Sequence, residues 1–141
     1  MKKVLSTIVV LSFMAIFGAT TSFAQYGTRV DADIPFDFTI GKKTFASGKY
    51  RLVLKPAGTT YYSVSLLNSD GMRIFSTTAL RNGSTLRNKS AMVFAVAGEG
   101  RYLETIKTPD AGFGFATSIS DKRIAESKRV TVDTSGAPNF D

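Results

Sequence analysis

The 141-residue chain contains no cysteine and no histidine. Without histidine it lacks the commonest general base, and without both residues it lacks the usual zinc and copper ligands. Thiol nucleophiles and the Ser-His-Asp triad are excluded as well. We therefore expect no catalytic residue, no metal ligand and no cofactor. The chain is not expected to be an enzyme.

The first 24 residues follow the three-part plan of a secretory signal peptide. Lys2 and Lys3 give a positive start, and residues 4–19 form an uncharged, mostly apolar run. A membrane-spanning helix needs about 20 apolar residues, and this run is shorter. Small residues at Ser22 and Ala24 complete a cleavage site. We predict cleavage after Ala24, export to the periplasm or the extracellular space as a soluble protein, and no stable membrane insertion after cleavage.

The 117 residues from Gln25 to Asp141 fit one domain by length. They carry 16 basic and 11 acidic residues, and this modest positive charge favours weak attraction to anionic surfaces. Nucleic acid is not an expected partner of an exported protein. We predict a single β domain over residues 25–132 and a flexible C-terminal tail over residues 133–141.

Alternation of apolar and polar residues dominates the chain after residue 25, and no long helical period interrupts it. Seven segments show this alternation or a β-branched composition: 30–41, 49–56, 60–67, 72–80, 91–97, 101–107 and 113–119. Short turn signals such as "NSDG" at 68–71 separate them. The pattern predicts an all-β fold, an antiparallel sandwich or flattened small barrel of seven to eight strands without parallel connections.

Residues 121–132 fit two structures. Asp121 could cap a short helix that runs through Ala125 and Glu126. The "RVTV" at 129–132 equally fits a last edge strand, which its basic neighbours would guard against further pairing.

Three acids alternate with apolar residues in "VDADIPFDFTIG" at 30–41. On a continuous strand Asp31 and Asp33 project to one side about 6.6 Å apart, and Asp37 lies further along that side. Calcium takes six to eight oxygen ligands, of which such a strand supplies two carboxylates at most. We therefore do not assign a metal site to these acids.

The segment at 49–55 offers these acids a different role. If the two segments pair as antiparallel strands, Lys49, Arg51 and Lys55 lie beside the aspartates. Opposite charges across a strand pair contribute about 0.2–1 kcal/mol each. Pro35 cannot donate to a β-ladder, so it indicates an edge strand or a bulge.

Tyr61, Phe113 and Phe115 are the candidate ligand contacts. The two phenylalanines alternate with glycines, which fits either a packed, tapering interior or a groove for a flat ligand. Tyr61 and Tyr62 point to opposite sides of a strand. One of the two should therefore be exposed. If it is Tyr61, its ring could stack on a sugar ring.

Two stretches resemble a known family. They are "VDADIPFDFTIGKKTFASGKYRL", in which PFDF precedes Gly41, Lys43, Thr44, Gly48 and Tyr50, and "MVFAVAGEGRYLETIKTPDAGFG". They are similar to parts of a family of short exported β-rich proteins from acidobacterial and similar soil bacteria. This resemblance implies export and a β-rich fold. Because no activity is established for that family, it assigns no functional residue here.

Three functional hypotheses follow. The first is a non-catalytic exported module that binds an unidentified partner or surface in the envelope or outside the cell. The second is a carrier of a small apolar ligand in a β-barrel, which needs an apolar cavity of roughly 300–1,000 Å³. The third is a carboxylate-dependent enzyme acting on a glycan, for which Glu99, Glu104 and Asp110 are the neighbouring acids. Solvated turns explain Glu99 and Asp110 better.

Overall fold

A computed structural model describes residues 27–117 and 120–134. Within these residues, one short helix, α1 (Asp121–Glu126), accompanies ten strands. The strands are β1 (Thr28–Ile34), β2 (Phe38–Ile40), β3 (Lys43–Phe45), β4 (Gly48–Pro56), β5 (Tyr61–Leu67), β6 (Arg73–Asn82), β7 (Ser90–Ala97), β8 (Gly100–Lys107), β9 (Gly112–Phe115) and β10 (Lys128–Thr134). The predicted all-β fold is confirmed, but the described residues form ten strands instead of the predicted seven to eight. The predicted signal peptide lies outside the described residues.

The ten strands form one sheet. Its main path runs β1-β4-β5-β6-β9-β8-β7-β10, and each neighbouring pair along it is antiparallel. The end strands β1 and β10 come close together without forming a hydrogen-bonded pair within the described ranges. The sheet therefore curls around one buried face in a sandwich-like form and does not close into a barrel.

The strands β2 and β3 form a small hairpin beside this path. Thr39 of β2 pairs with Tyr102 of β8 in parallel, and Gly41 makes a second parallel bridge with Thr117. The prediction of a sheet without parallel pairing is wrong at this point. A parallel neighbour needs a long connection, and the strands β3 to β7 supply it here.

The buried face of the sheet holds the apolar core. Leu52 of β4 lies opposite Val30 of β1 on one side and Leu66 of β5 on the other, and all three are at most 1% exposed. Phe38 packs against Phe94 with ring centroids 5.8 Å apart. Burial of one such side chain is worth about 1.5–3 kcal/mol. The apolar half of the alternation seen in the sequence therefore builds the core.

The segment at 30–41 is not one continuous strand. β1 ends at Ile34 and β2 begins at Phe38, so the chain bends at residues 35–37. Pro35 has no N–H for a ladder, and β1 is an end strand of the main path, as Pro35 suggested. Asp37 leaves the row of acids, because its Oδ1 accepts a hydrogen bond from the backbone N–H of Ser47 at 2.9 Å. Its predicted place further along the side that carries Asp31 and Asp33 is wrong.

Residues 121–132 form both of the structures that the sequence allowed. The N-cap of α1 is Ser120 rather than Asp121, and Ser120 makes no side-chain capping hydrogen bond. β10 follows at once and ends at Thr134, so the predicted tail boundary after residue 132 is too early by two residues. The described part of the chain has no helix that is long and apolar enough to span a membrane.

Candidate functional site

An open groove of about 790 Å³ lies where β1, β4, the β5–β6 turn and the end of β10 meet. Its lining residues are Asp31, Ala32, Asp33, Lys49, Tyr50, Arg51, Asn68, Ser69, Asp70, Gly71 and Asp133. Six of these eleven residues are charged. Charged walls are costly to desolvate without a polar partner, so the groove suits a polar ligand.

Asp31 is the centre of an ion-pair cluster on one wall of the groove. Its Oδ1 accepts a hydrogen bond from Nε of Arg51 at 2.7 Å, and its Oδ2 accepts one from Nη2 of Arg29 at 3.2 Å. Asp31 and Arg51 are directly opposite in the β1–β4 register. The predicted charge-paired hairpin is therefore confirmed for this pair, and Arg29 joins it from the strand that carries Asp31.

The surroundings of Asp31 keep its carboxylate ionised. Partial burial raises the pKa of Asp31, but the hydrogen bonds from Arg51 and Arg29, with the charges of both, outweigh it and lower the pKa below its ordinary value. A carboxylate held by two guanidinium groups is a poor acceptor for a substrate proton. Asp31 is therefore suited to fixing charge and shape in the groove.

Of the two other basic residues predicted to lie beside the aspartates, one does so and one does not. Lys49 lies directly opposite Asp33 in the register, as expected for a charge-paired strand pair. Lys55 does not lie beside the acids: it is opposite Ser63 of β5, four positions beyond Arg51. The prediction is wrong for Lys55 because the acids occupy the end of β1 that meets the start of β4. Within residues 27–117 and 120–134, no group of three acidic side chains is arranged to hold a metal ion.

The floor of the groove includes the turn between β5 and β6. Asn68 holds this turn, because its Oδ1 accepts hydrogen bonds from the backbone N–H groups of Asp70 at 3.1 Å and Met72 at 2.9 Å. Gly71 has a φ of 78°, which favours glycine. The "NSDG" segment is therefore a hairpin turn, as the sequence indicated.

Asp133 is a groove residue that the sequence did not disclose. It lies near the end of β10, and Nζ of Lys89 donates to its Oδ1 at 3.1 Å. No local motif surrounds it, and the sequence assigned it to a tail. Only the curling of the sheet, which carries β10 to β1, places it in the groove.

The three candidate ligand contacts do not share a surface. Tyr61 is 54% exposed on the outside of the sheet, which confirms that one of the two adjacent tyrosines is exposed. Phe113 and Phe115 are 2% and 8% exposed in the core, and the ring of Tyr62 packs on Phe113 with centroids 4.8 Å apart. Of the three, only Tyr61 is placed to contact a ligand in this structure.

The glycines beside Phe113 leave no groove. A Cβ atom at Gly112 would collide with Oδ1 of Asn82 and with the backbone oxygen of Ser84. A Cβ at Gly114 would come within 3.2 Å of Nδ2 of Asn82. The side chain of Asn82 therefore fills the space that the glycines open. The interpretation of the glycine pattern as a ligand groove is wrong, and close packing explains it.

The acids of the glycan-enzyme hypothesis are dispersed. Glu104 on β8 accepts hydrogen bonds from Nε and Nη2 of Arg129 at 2.9 and 3.1 Å. Its hydrogen bond and charge raise the pKa of Arg129, against a smaller opposing effect of burial. Glu99 is exposed in the β7–β8 turn, and Asp110 is exposed in the β8–β9 loop. None of the three lines the groove.

Comparison with known protein families, with curated proteins and with solved structures gives no match. The class that fold and site define is therefore a β-sheet protein with an open, charged groove. Any role for the groove has to be argued from its own geometry.

Proposed function

We propose that the chain is an exported, non-catalytic β-module that binds a partner or surface in the envelope or outside the cell. The groove between β1, β4 and the β5–β6 turn supports this proposal. It is open to solvent, and hydrogen-bonded strands and a hydrogen-bonded turn hold its walls. A preformed polar hollow of this kind is suited to recognition.

The observation that carries the proposal is the state of Asp31. Its two oxygens are already engaged by Arg51 and Arg29, and its pKa is lowered. General acid catalysis by a carboxyl group requires the opposite shift, a pKa raised toward the working pH. The lowered pKa of Asp31 therefore argues against general acid catalysis by this residue and supports a binding role for the groove.

Carriage of an apolar ligand is the less favoured alternative. The interior is filled by large side chains such as Phe38, Phe94 and Leu103, which are at most 1% exposed. The groove has a sufficient volume, but it is open and more than half of its lining residues are charged. A carrier of apolar molecules needs an enclosed and mostly apolar cavity.

A substrate screen tests the absence of catalysis. The purified protein is assayed against chromogenic glycosides and esters, beside Asp31→Asn and Glu104→Gln variants. We expect no turnover that depends on either acid. Turnover by the wild type that one of these substitutions abolishes would replace the binding module with an enzyme.

N-terminal sequencing tests export. The protein is expressed with its full N-terminus in a Gram-negative host, and the periplasmic and extracellular fractions are sequenced. We expect a protein that begins at Gln25. Full-length protein retained in the cytoplasm would contradict export.

A further inference from the structure

Four hydroxyl side chains lie side by side on the outward surface of β5 and β6. Ser63 is opposite Thr78, and Ser65 is opposite Ser76. They alternate with buried residues of the core such as Val64, so they point to solvent. Strand geometry places neighbours about 5 Å apart across the strands and about 7 Å apart along them. Their small side chains leave a shallow surface, which we name the hydroxyl face.

Basic residues border the hydroxyl face. Arg51 and Lys55 lie on β4, and Lys55 is opposite Ser63. Arg73 lies on β6 opposite Leu67, which is also opposite Arg51. Arg51 and Arg73 are therefore two strands apart, about 10 Å between backbones. The hydroxyl face thus has cations on two of its sides.

No acid offsets these cations within the three strands. β4, β5 and β6 contain no aspartate or glutamate. Residues 38–98 as a whole carry nine basic residues and one acid, Asp70. Among the described residues, the ion pairs engage Asp31, Asp133 and Glu104, and none of them includes Lys55 or Arg73. These two cations can therefore pair with an external anion at little cost.

A pair of exposed, largely apolar side chains lies at one end of the hydroxyl face. Tyr61 and Leu80 are directly opposite each other and are 54% and 51% exposed. An exposed tyrosine offers a flat ring with a polar hydroxyl group. Hydroxyl groups act as both donors and acceptors, so Ser63 and Thr78 can bond to the hydroxyl groups of a sugar. Two apolar side chains offer little area for insertion into a lipid bilayer.

We propose that the hydroxyl face binds an anionic polysaccharide. Its carboxylate or sulfate groups would pair with Lys55 and Arg73, its hydroxyl groups would bond to the serine and threonine side chains, and one sugar ring would stack on Tyr61. This inference rests on the proposed binding function, whose ligand class it names. It adds to the groove a second surface that shares Arg51 with it.

Calorimetric titration of the purified protein tests this inference. Dextran sulfate is the probe, unmodified dextran is the uncharged control, and phosphatidylglycerol vesicles are the lipid control. We expect binding of dextran sulfate that weakens as salt is raised. We expect no comparable binding of dextran or vesicles. The variant Lys55→Ala/Arg73→Ala should lose roughly tenfold in affinity, on the scale of two exposed charge pairs.

A matched variant separates this site from net charge. Lys122→Ala/Lys128→Ala removes two exposed lysines from α1 and β10 and should leave the affinity within about twofold, since screening limits distant charges. Equal losses in the two double variants would overturn the inference. Lys55→Arg/Arg73→Lys should retain binding, and a loss there as large as with alanine would contradict simple charge pairing. Unfolding curves confirm that each variant is folded.

The remaining outcomes are also decisive. Tyr61→Ala should weaken binding without changing its salt dependence, and an unchanged affinity would refute the stacked sugar. Binding to vesicles but not to dextran sulfate would refute the polysaccharide and leave the proposed surface-binding function standing. Acid-dependent turnover would instead remove that proposed function.

Discussion

Two outward surfaces of the same sheet differ in what covers them. On β7, Ala91 and Ala95 are fully buried and Val93 is 9% exposed, although they face away from the main core. The helix α1 packs against this strand. On β5 and β6 the corresponding positions carry the hydroxyl face, and the side chains of Ser63 and Thr78 are exposed.

The difference teaches how one sheet serves two purposes. The outward side of β7 is apolar, so covering it contributes to stability at about 25 cal/mol per Å² of apolar area. The outward side of β5 and β6 consists of small polar side chains, which gain little from being covered. Its composition is therefore free to be set by solubility and by recognition.

The largest expected effect comes from placing a charge on each surface. Val93→Asp puts a carboxylate on the covered outward side of β7, opposite Thr131 of β10 and Thr105 of β8, and should lower the free energy of unfolding by about 3–5 kcal/mol. Ser63→Asp, on the hydroxyl face, should change it by no more than about 0.5 kcal/mol. Urea unfolding measures both. Similar costs for the two variants would break the distinction between the surfaces.

A smaller effect tests the close packing around Gly112 on β9. Gly112→Ala forces its new methyl group against Asn82 and the Ser84 backbone, and overpacking of this kind costs about 1–3 kcal/mol. Gly83 has open space around its Cβ position, so Gly83→Ala should be neutral or stabilising by up to about 1 kcal/mol. Thermal unfolding compares them. A tolerated Gly112→Ala would mean that the glycine pattern is not explained by packing.

The sequence predicted the inward-facing half of this comparison better than the outward-facing half. Period-two alternation identifies Val30, Leu52 and Leu66 as core residues, because burial on one side of a strand leaves a direct pattern. The outward positions carry no such signal. The burial of Ala95 depends on what the neighbouring elements place over β7, and the groove position of Asp133 depends on how far the sheet curls.

The ion-pair prediction was accurate for a local reason. A hairpin-like pairing of β1 and β4 sets Asp31 against Arg51 once the register is fixed by the apolar residues. The prediction was wrong for Asp37 because the chain bends at Pro35, before Asp37 is reached. The prediction was wrong for Lys55 because this residue lies four positions beyond Arg51, which is about 13 Å along the strand.

Removal of the Asp31 carboxylate should have a modest, pH-dependent effect on the free energy of unfolding. Asp31→Asn gives up two partly exposed ion pairs and should cost about 1 kcal/mol or less at pH 7. Because the folded state lowers the pKa of Asp31, its contribution is present above the unfolded pKa of about 3.9 and is lost as the pH falls further. The difference between wild type and variant should therefore shrink below about pH 4.

The matched control is Asp133→Asn, whose side chain is 69% exposed beside Lys89. It should cost less than Asp31→Asn at pH 7. Urea unfolding from pH 7 to pH 3 measures both variants. A wild-type advantage over Asp31→Asn that grows as the pH falls would contradict the direction of the pKa shift.

The smallest expected effect is that of calcium on the groove. The strand places only Asp31 and Asp33 side by side, and Arg51 and Arg29 already engage Asp31. Millimolar calcium should leave the Tm unchanged in a thermal unfolding experiment. A clear rise in Tm that Asp31→Asn or Asp33→Asn abolished would support a metal site instead.

The central claim is that the uncovered outward surface of β5 and β6, and not the covered outward side of β7, binds an anionic polysaccharide. Backbone amide chemical shifts recorded during titration with dextran sulfate test it residue by residue. We predict the largest changes at residues 61–67 and 73–80, and little change at residues 121–134. Changes centred on α1 and β10, with the hydroxyl face unaffected, would contradict the claim.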